Sequence, residues 1–283
     1  MPMVTALLAL NFSLMIAVPI FLARWIARRR QARWGLFGVG AVAFVLSQVG
    51  HLPFNWLVLQ QLGWVNASNL IVYAAFLGLS AGTLEGIARY LVLRFWAKDA
   101  RTWGKGLMVG AGHGGIEAIL LGVLGLLNFT ILFGLKQGYF QNVLASVPED
   151  QLYLVDQQIN ALFGVPASMA LLGAIERIFA ILLHLAATLL VMQVFVRQQL
   201  RWLAAGILWH AAIDGVLVYV VTRWGGVTAE LVLGGMSLIS LAIIFGLRQP
   251  EPEEPEVVPL PALKPLAPIE VAVDSLDRSK YTS

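Results

Sequence analysis

The chain alternates between long apolar runs and short polar connections, and the runs have membrane-crossing length. Seven crossings are predicted, over Val4 to Ala23, Leu36 to Leu52, Asn69 to Leu93, Leu107 to Leu127, Ala174 to Phe195, Leu203 to Val221 and Leu231 to Leu247. A helix needs about 20 apolar residues to cross a bilayer, and each run has close to that number. After the fourth run, "NFTILFGLKQGYF" carries the apolar character toward Phe140, which predicts a long helix, a broken one or a short re-entrant piece. "INALFGVPASMALLG" is interrupted by Gly164 and Pro166 before the fifth run resumes. The fold class is therefore an all-α polytopic membrane bundle over 1–248.

Composition strengthens this reading. Of 283 residues, 59% are hydrophobic and 12% charged, with mean hydropathy +0.78, whereas soluble domains carry about 25% charged residues. The chain contains no cysteine, which excludes disulfides and thiolate ligands. The N-terminal apolar run has no basic residue before it and reads as a retained first span. A net charge of +3 comes mainly from basic connections, so the pI near 9.3 gives no reason to expect a nucleic-acid partner. Those connections hold Arg24, Arg28, Arg29, Arg30 and Arg33, then Arg94, Lys98, Arg101 and Lys105, then Arg197 and Arg201. With seven crossings they fall on one side, which the positive-inside rule makes cytoplasmic, with the N-terminus outside and the C-terminus inside. From Gln249 to Ser283 proline and glutamate dominate, and a disordered cytoplasmic tail is expected.

The candidate chemistry lies inside the spans. "GTLEGIARYLV" carries Glu85 and Arg89, "GHGGIEA" carries His113 and Glu117, "GAIERIFAILLH" carries Glu176, Arg177 and His184, and "ILWHAAIDGV" carries His210 and Asp214. Glu85 with Arg89, His113 with Glu117, and His210 with Asp214 are spaced i, i+4, so each pair shares a helix face. Counting from the basic loops, Glu85, His113, His184 and His210 sit about 12 to 18 Å deep, and Glu117 and Asp214 about one turn further. An ionised group at that depth costs about 2.5 to 3.5 kcal/mol, so these groups must face one another, an ion or water. Three histidines with carboxylates are what Zn²⁺ takes, and a nearby glutamate suits a proton acceptor for metal-bound water. A metal-free proton or ion pathway and purely structural pairing are the competing readings. Gly110, Gly112, Gly114 and Gly115 either let helices approach closely or leave room beside His113 for an extended substrate backbone. Glu176 and Arg177 read as a separate structural pair, and His51 in "GHLPFNW" as an interfacial residue.

The blocks "EGIARY", "GHGGIEA", "ERIFAILLH" and "HAAID", in this order, resemble the YhfC-type family of predicted intramembrane metalloproteases. That family is related to the CAAX prenyl endopeptidases and PrsW-like proteases. The resemblance implies a glutamate on the first motif helix that activates water, histidines on later helices that bind zinc, and a last motif with a histidine ligand and a carboxylate or amide one turn on. In this chain Glu85 then resembles the general base, and His113, His184 and His210 the metal ligands. Arg89 would hold the carboxylate or polarise a carbonyl, and Asp214 would orient a ligand, bind the metal or counter developing charge. Relatives often carry two adjacent glutamates at the first motif, whereas here Glu85 is followed by Gly86, which makes Glu117 an alternative base or fourth ligand.

The expected activity is zinc-dependent endopeptidase cleavage of membrane-embedded or membrane-anchored peptides near the cytoplasmic leaflet, through a cleft opening on the basic-loop half. The partners are that substrate and the lipid bilayer, and the setting a bacterial cytoplasmic membrane. A proton-coupled transporter and a noncatalytic metal-binding scaffold are the alternatives.

Overall fold

The structure is a computed structural model that describes residues 2–250. Beyond residue 250, the predicted tail lies outside the described residues. Every regular element among the described residues is helical. The long helices are α1 (Pro2–Arg30), α2 (Trp34–Trp56), α3 (Leu70–Leu91) and α4 (Trp103–Lys136). Two short helices follow, α5 (Gln141–Ala145) and α6 (Leu152–Phe163), and then α7 (Leu172–Arg197) and α8 (Arg201–Gly246). Six of the eight are long and apolar enough to cross a membrane.

The sixth and seventh predicted spans both lie in α8, but they are not one rod. Gly225 has φ 82° and ψ 174°, a conformation open to glycine and strained for other residues, and it divides the element into arms 201–224 and 226–246. Trp209 Nε1 donates to Ser240 Oγ at 3.3 Å. In a straight helix residues 31 positions apart would be separated by about 46 Å, so the second arm folds back along the first. Its far end meets the start of α4, where Trp103 Nε1 donates to the Ile244 carbonyl at 2.8 Å. The chain therefore makes seven passes along the bundle, as the apolar runs predict.

Helix starts follow local chemistry. Asn69 Oδ1 accepts from the Val72 amide at 3.2 Å to begin α3, and Thr102 caps α4 through the Lys105 amide. The long-or-broken question after Leu127 resolves as one helix reaching Lys136; Phe140, in the left-handed region at φ 60°, then turns its ring back onto Gly134. Between the basic ends of α3 and α4, Asp99 accepts from Arg33 at 2.8 Å and pairs with Lys105 at 3.5 Å. Burial pushes its carboxyl upward, but its own backbone N–H, Lys105 and Arg33 outweigh that and hold it below the usual range. Its contribution is present above the unfolded-state pKa and fades as pH falls through the folded one; for so exposed a pair it is below about 1 kcal/mol.

α4 runs between α1, α2 and α7, and α3 packs along the first arm of α8. Glycine sets these distances. A Cβ on Gly82 would stand 2.6 Å from the Ile207 carbonyl oxygen, and one on Gly78 would strike the Ala211 carbonyl, so α3 and α8 meet backbone to backbone. Gly40 of α2 and Gly112 of α4 play the same part at the α2–α4 contact, where a side chain at Gly112 would run into the Phe37 carbonyl. Gly112→Ala is accordingly expected to destabilise the detergent-solubilised protein by about 1 to 3 kcal/mol, seen as a lowered midpoint in thermal unfolding. Gly35→Ala, with nothing within 4 Å of the added carbon, should leave that midpoint unchanged or slightly raised.

Candidate metal centre

Four helices each present one side chain at a common depth. Glu85 on α3, His113 on α4, His184 on α7 and His210 on the first arm of α8 are all buried, as is Arg89 one turn beyond Glu85. Glu85 Oε2 is the focus: His113 Nε2 lies 3.0 Å away, Arg89 Nη2 3.1 Å, His210 Nε2 3.6 Å and His184 Nδ1 3.9 Å. Its other oxygen is 3.5 Å from the Gln48 amide nitrogen of α2. The four predicted residues and Arg89 are thus brought together.

Arginine determines how the imidazoles are arranged. A guanidinium only donates, so any nitrogen it bonds must offer a lone pair. Arg89 Nη2 is 2.7 Å from His184 Nδ1, and Nη1 is 3.3 Å from His210 Nδ1. Both rings therefore carry their proton on Nε2, and both Nε2 atoms face carboxylates: Glu117 at 2.8 Å from His184 and Asp214 at 3.1 Å from His210. A carboxylate behind the second nitrogen fixes ring orientation and raises basicity, the arrangement found behind ligand histidines in metal sites. Glu117 and Asp214 thus each hold the Nε2 side of a ring whose Nδ1 faces Arg89, and His210 Nε2 also lies 3.6 Å from Glu85 Oε2.

The donor set fits a metal ion. Two imidazole lone pairs and a carboxylate oxygen converge on one cation, here the Arg89 guanidinium, and Zn²⁺ takes the same ligands. Glu85, His184 and His210 can each offer an atom lying within 4.8 Å of the others. His113 stands differently from the sequence-based expectation. Its Nε2 is spent on Glu85, and its Nδ1, at the other edge of the ring, is buried without a hydrogen-bond partner. Phe44 meets this ring edge-on, with centroids 5.4 Å apart.

The sequence profile of the YhfC intramembrane metalloprotease family matches residues 14–236. The chain belongs to this family. The match contains every residue of the centre, from Gln48 on α2 to Asp214 on α8. A curated YhfC relative, "Uncharacterized membrane protein YhfC" of Bacillus subtilis (strain 168), is 33% identical over 208 residues, covering 72% of this chain and 80% of that protein. No solved structure matches.

One expectation needs correction in this YhfC-family chain, and the choice between the two readings of the glycines is resolved. Glu176 and Arg177 are not a separate pair: Arg177 bonds Glu176 and also reaches Glu117 Oε1 at 2.6 Å, which ties it to the His184 ring. The space beside His113 is filled. A Cβ on Gly114 would lie 2.6 Å from His184 Cδ2, and Gly110 and Gly115 face Leu185 and Phe37, so these glycines serve close packing. His51 is half-buried, 3.2 Å from Ser80 Oγ and 2.9 Å from Asn55 Nδ2. Gln48 went unnoticed because a lone neutral amide in an apolar run carries no spacing signal. Tyr90 stacks on Phe195, with its hydroxyl held by Arg94.

Proposed function

We propose that this protein is a zinc-dependent intramembrane endopeptidase that hydrolyses peptide bonds of membrane-embedded or membrane-anchored substrates. The observation that supports it most is the convergence of imidazoles from three helices on the carboxylate of a fourth, in a chain of the intramembrane metalloprotease family. Zinc bound there would supply Lewis-acid polarisation of the scissile carbonyl and a water acidic enough to attack near neutral pH.

The residues divide the work as follows. His184 and His210 would hold the ion through Nδ1, each ring steadied by a carboxylate at Nε2. His113 is the third nitrogen ligand: its Nδ1 has no bond to lose, so moving its proton there frees Nε2 toward the centre at the cost of one contact with Glu85. Glu85 takes the proton from the attacking water and passes it to the departing amine. Arg89 holds Glu85 Oε2 and counters charge developing on the carbonyl oxygen. Glu117 and Asp214 are positioning residues in this scheme. We place the basic loops in the cytoplasm and the N-terminus outside, by the positive-inside rule.

The test uses purified protein in nanodiscs, with metal content read by mass spectrometry and cleavage of membrane-spanning peptides read by gel. About one zinc per chain, and cleavage that stops on chelation and returns with added zinc, are expected. Cleavage that persists at full rate after complete metal removal would overturn the chemistry. Metal-independent movement of a solute or protons across the membrane, without cleavage, would favour the transporter reading.

A further inference from the structure

The centre is closed toward the basic loops and opens the other way. On the basic side of Glu85, His113 and His184 along their helices lie Leu93, Leu107, Met108, Leu189 and Met192, all buried in one apolar cluster. Side chains on the opposite side are less enclosed: Glu117 is 22% and Asp214 30% exposed, against 0% for Arg89 and His113. This differs from the cleft on the basic-loop half expected from the sequence.

Asp214 forms part of a groove of about 270 Å³, whose walls include His51 and Asn55 of α2, Leu77 and Ala81 of α3, and Val218 of α8. Measured from the basic ends of their helices, His51 and Val218 lie about 25 Å deep and Glu85 about 16 Å. The groove therefore extends from the site toward the end opposite the basic loops.

Its polar groups are incompletely used. His51 bonds both Asn55 and Ser80, but His51 Nδ1 and Asn55 Oδ1, both buried, have no partner among the described residues. An unwound peptide presents alternating N–H and C=O groups that its helix had satisfied, and these must be met inside a membrane. An amide and an imidazole can each accept from or donate to such a backbone, while Leu77, Ala81 and Val218 supply apolar contact for its side chains.

We propose that this groove binds the unwound backbone of the substrate segment and leads it to Glu85 from the end opposite the basic loops, with the unpartnered Oδ1 of Asn55 and Nδ1 of His51 turning from their buried positions to become its hydrogen-bonding partners. The proposal rests on the endopeptidase reading, and moves the expected cut from the basic-loop leaflet toward the other half of the membrane.

The cysteine-free chain allows a direct test on the full-length protein in oriented vesicles. Leu77→Cys and Val218→Cys are treated with a membrane-impermeant thiol reagent, beside two references: Trp64→Cys, in the exposed turn after α2, and Lys98→Cys, in a basic loop. Labelling of both groove cysteines from the Trp64 face is expected. Labelling from the Lys98 face, or from neither, overturns the proposal. This readout needs no turnover, so absence of zinc or cleavage would count against the endopeptidase reading alone. In active protein, Asn55→Leu is expected to raise KM about 5- to 10-fold while kcat stays within about twofold; an unchanged KM overturns the role given to Asn55.

Discussion

Glu85→Gln is expected to reduce peptide cleavage by at least about 10²-fold while the protein keeps its zinc, because the amide preserves size and removes the proton acceptor. The geometry makes this substitution decisive. Glu85 Oε2 lies within 3.9 Å of a ring nitrogen on each of three histidines and also accepts from Arg89. Such a carboxylate has the position of a base and also the position of a third ligand. Zinc content of the purified variant separates these roles: retention with lost turnover identifies the base, and loss of both makes Glu85 a ligand and returns His113 to orienting it. Wild-type cleavage rates in the variant would remove Glu85 from the chemistry altogether.

The second large effect concerns His210. His210→Ala is expected to abolish stoichiometric zinc binding and cleavage together, since it removes an inner lone pair from a buried site with few donors. Glu117→Gln should act more mildly, because Glu117 touches the outer nitrogen of His184; a 10- to 100-fold loss of zinc affinity is typical of such a partner. Titration with a chelator of known affinity measures both variants. Equal weakening by the two would mean that Glu117 ligates the ion, and full occupancy in His210→Ala would displace the metal from this cluster.

Much of this centre is legible in the sequence because membrane burial makes polar residues costly. Glu85 with Arg89 and His210 with Asp214 announce a shared face by their four-residue spacing, and the structure joins both pairs directly. The two passes within α8 are legible as well: the polar stretch around Arg223 and the Gly225-Gly226 pair interrupts an apolar run too long for one crossing. Less of the packing could be read. Nothing in "GHGGIEA" says whether its small residues leave space or let a neighbour in, since that depends on Phe37 and His184, distant in the chain. The link from Arg177 to Glu117 spans 60 positions and has no periodic signature. His51 reads as an interfacial residue from Trp56 and Trp64 nearby, and nothing local in the sequence points to its partner Ser80 on another helix. The direction in which the site opens is set by apolar bulk at Met108, Leu189 and Met192, and basic loops carry no record of it.

The glycine contacts of α2 lie toward one end of the helix. Gly40 brings its backbone against Val109 and His113, while further along Phe54 and Trp56 are exposed and the helix, with Pro53 inside it, passes into a wider π turn at Leu57–Gln61. Any tilt of α2 about the clamped Gly40 region would displace Asn55 more than Gln48, and would have to carry or break the contacts of His51 with Ser80 and of Phe54 with Phe76 on α3. The backbone clamp on α4 and the side-chain contacts with α3 thus lie at different heights on the same rod.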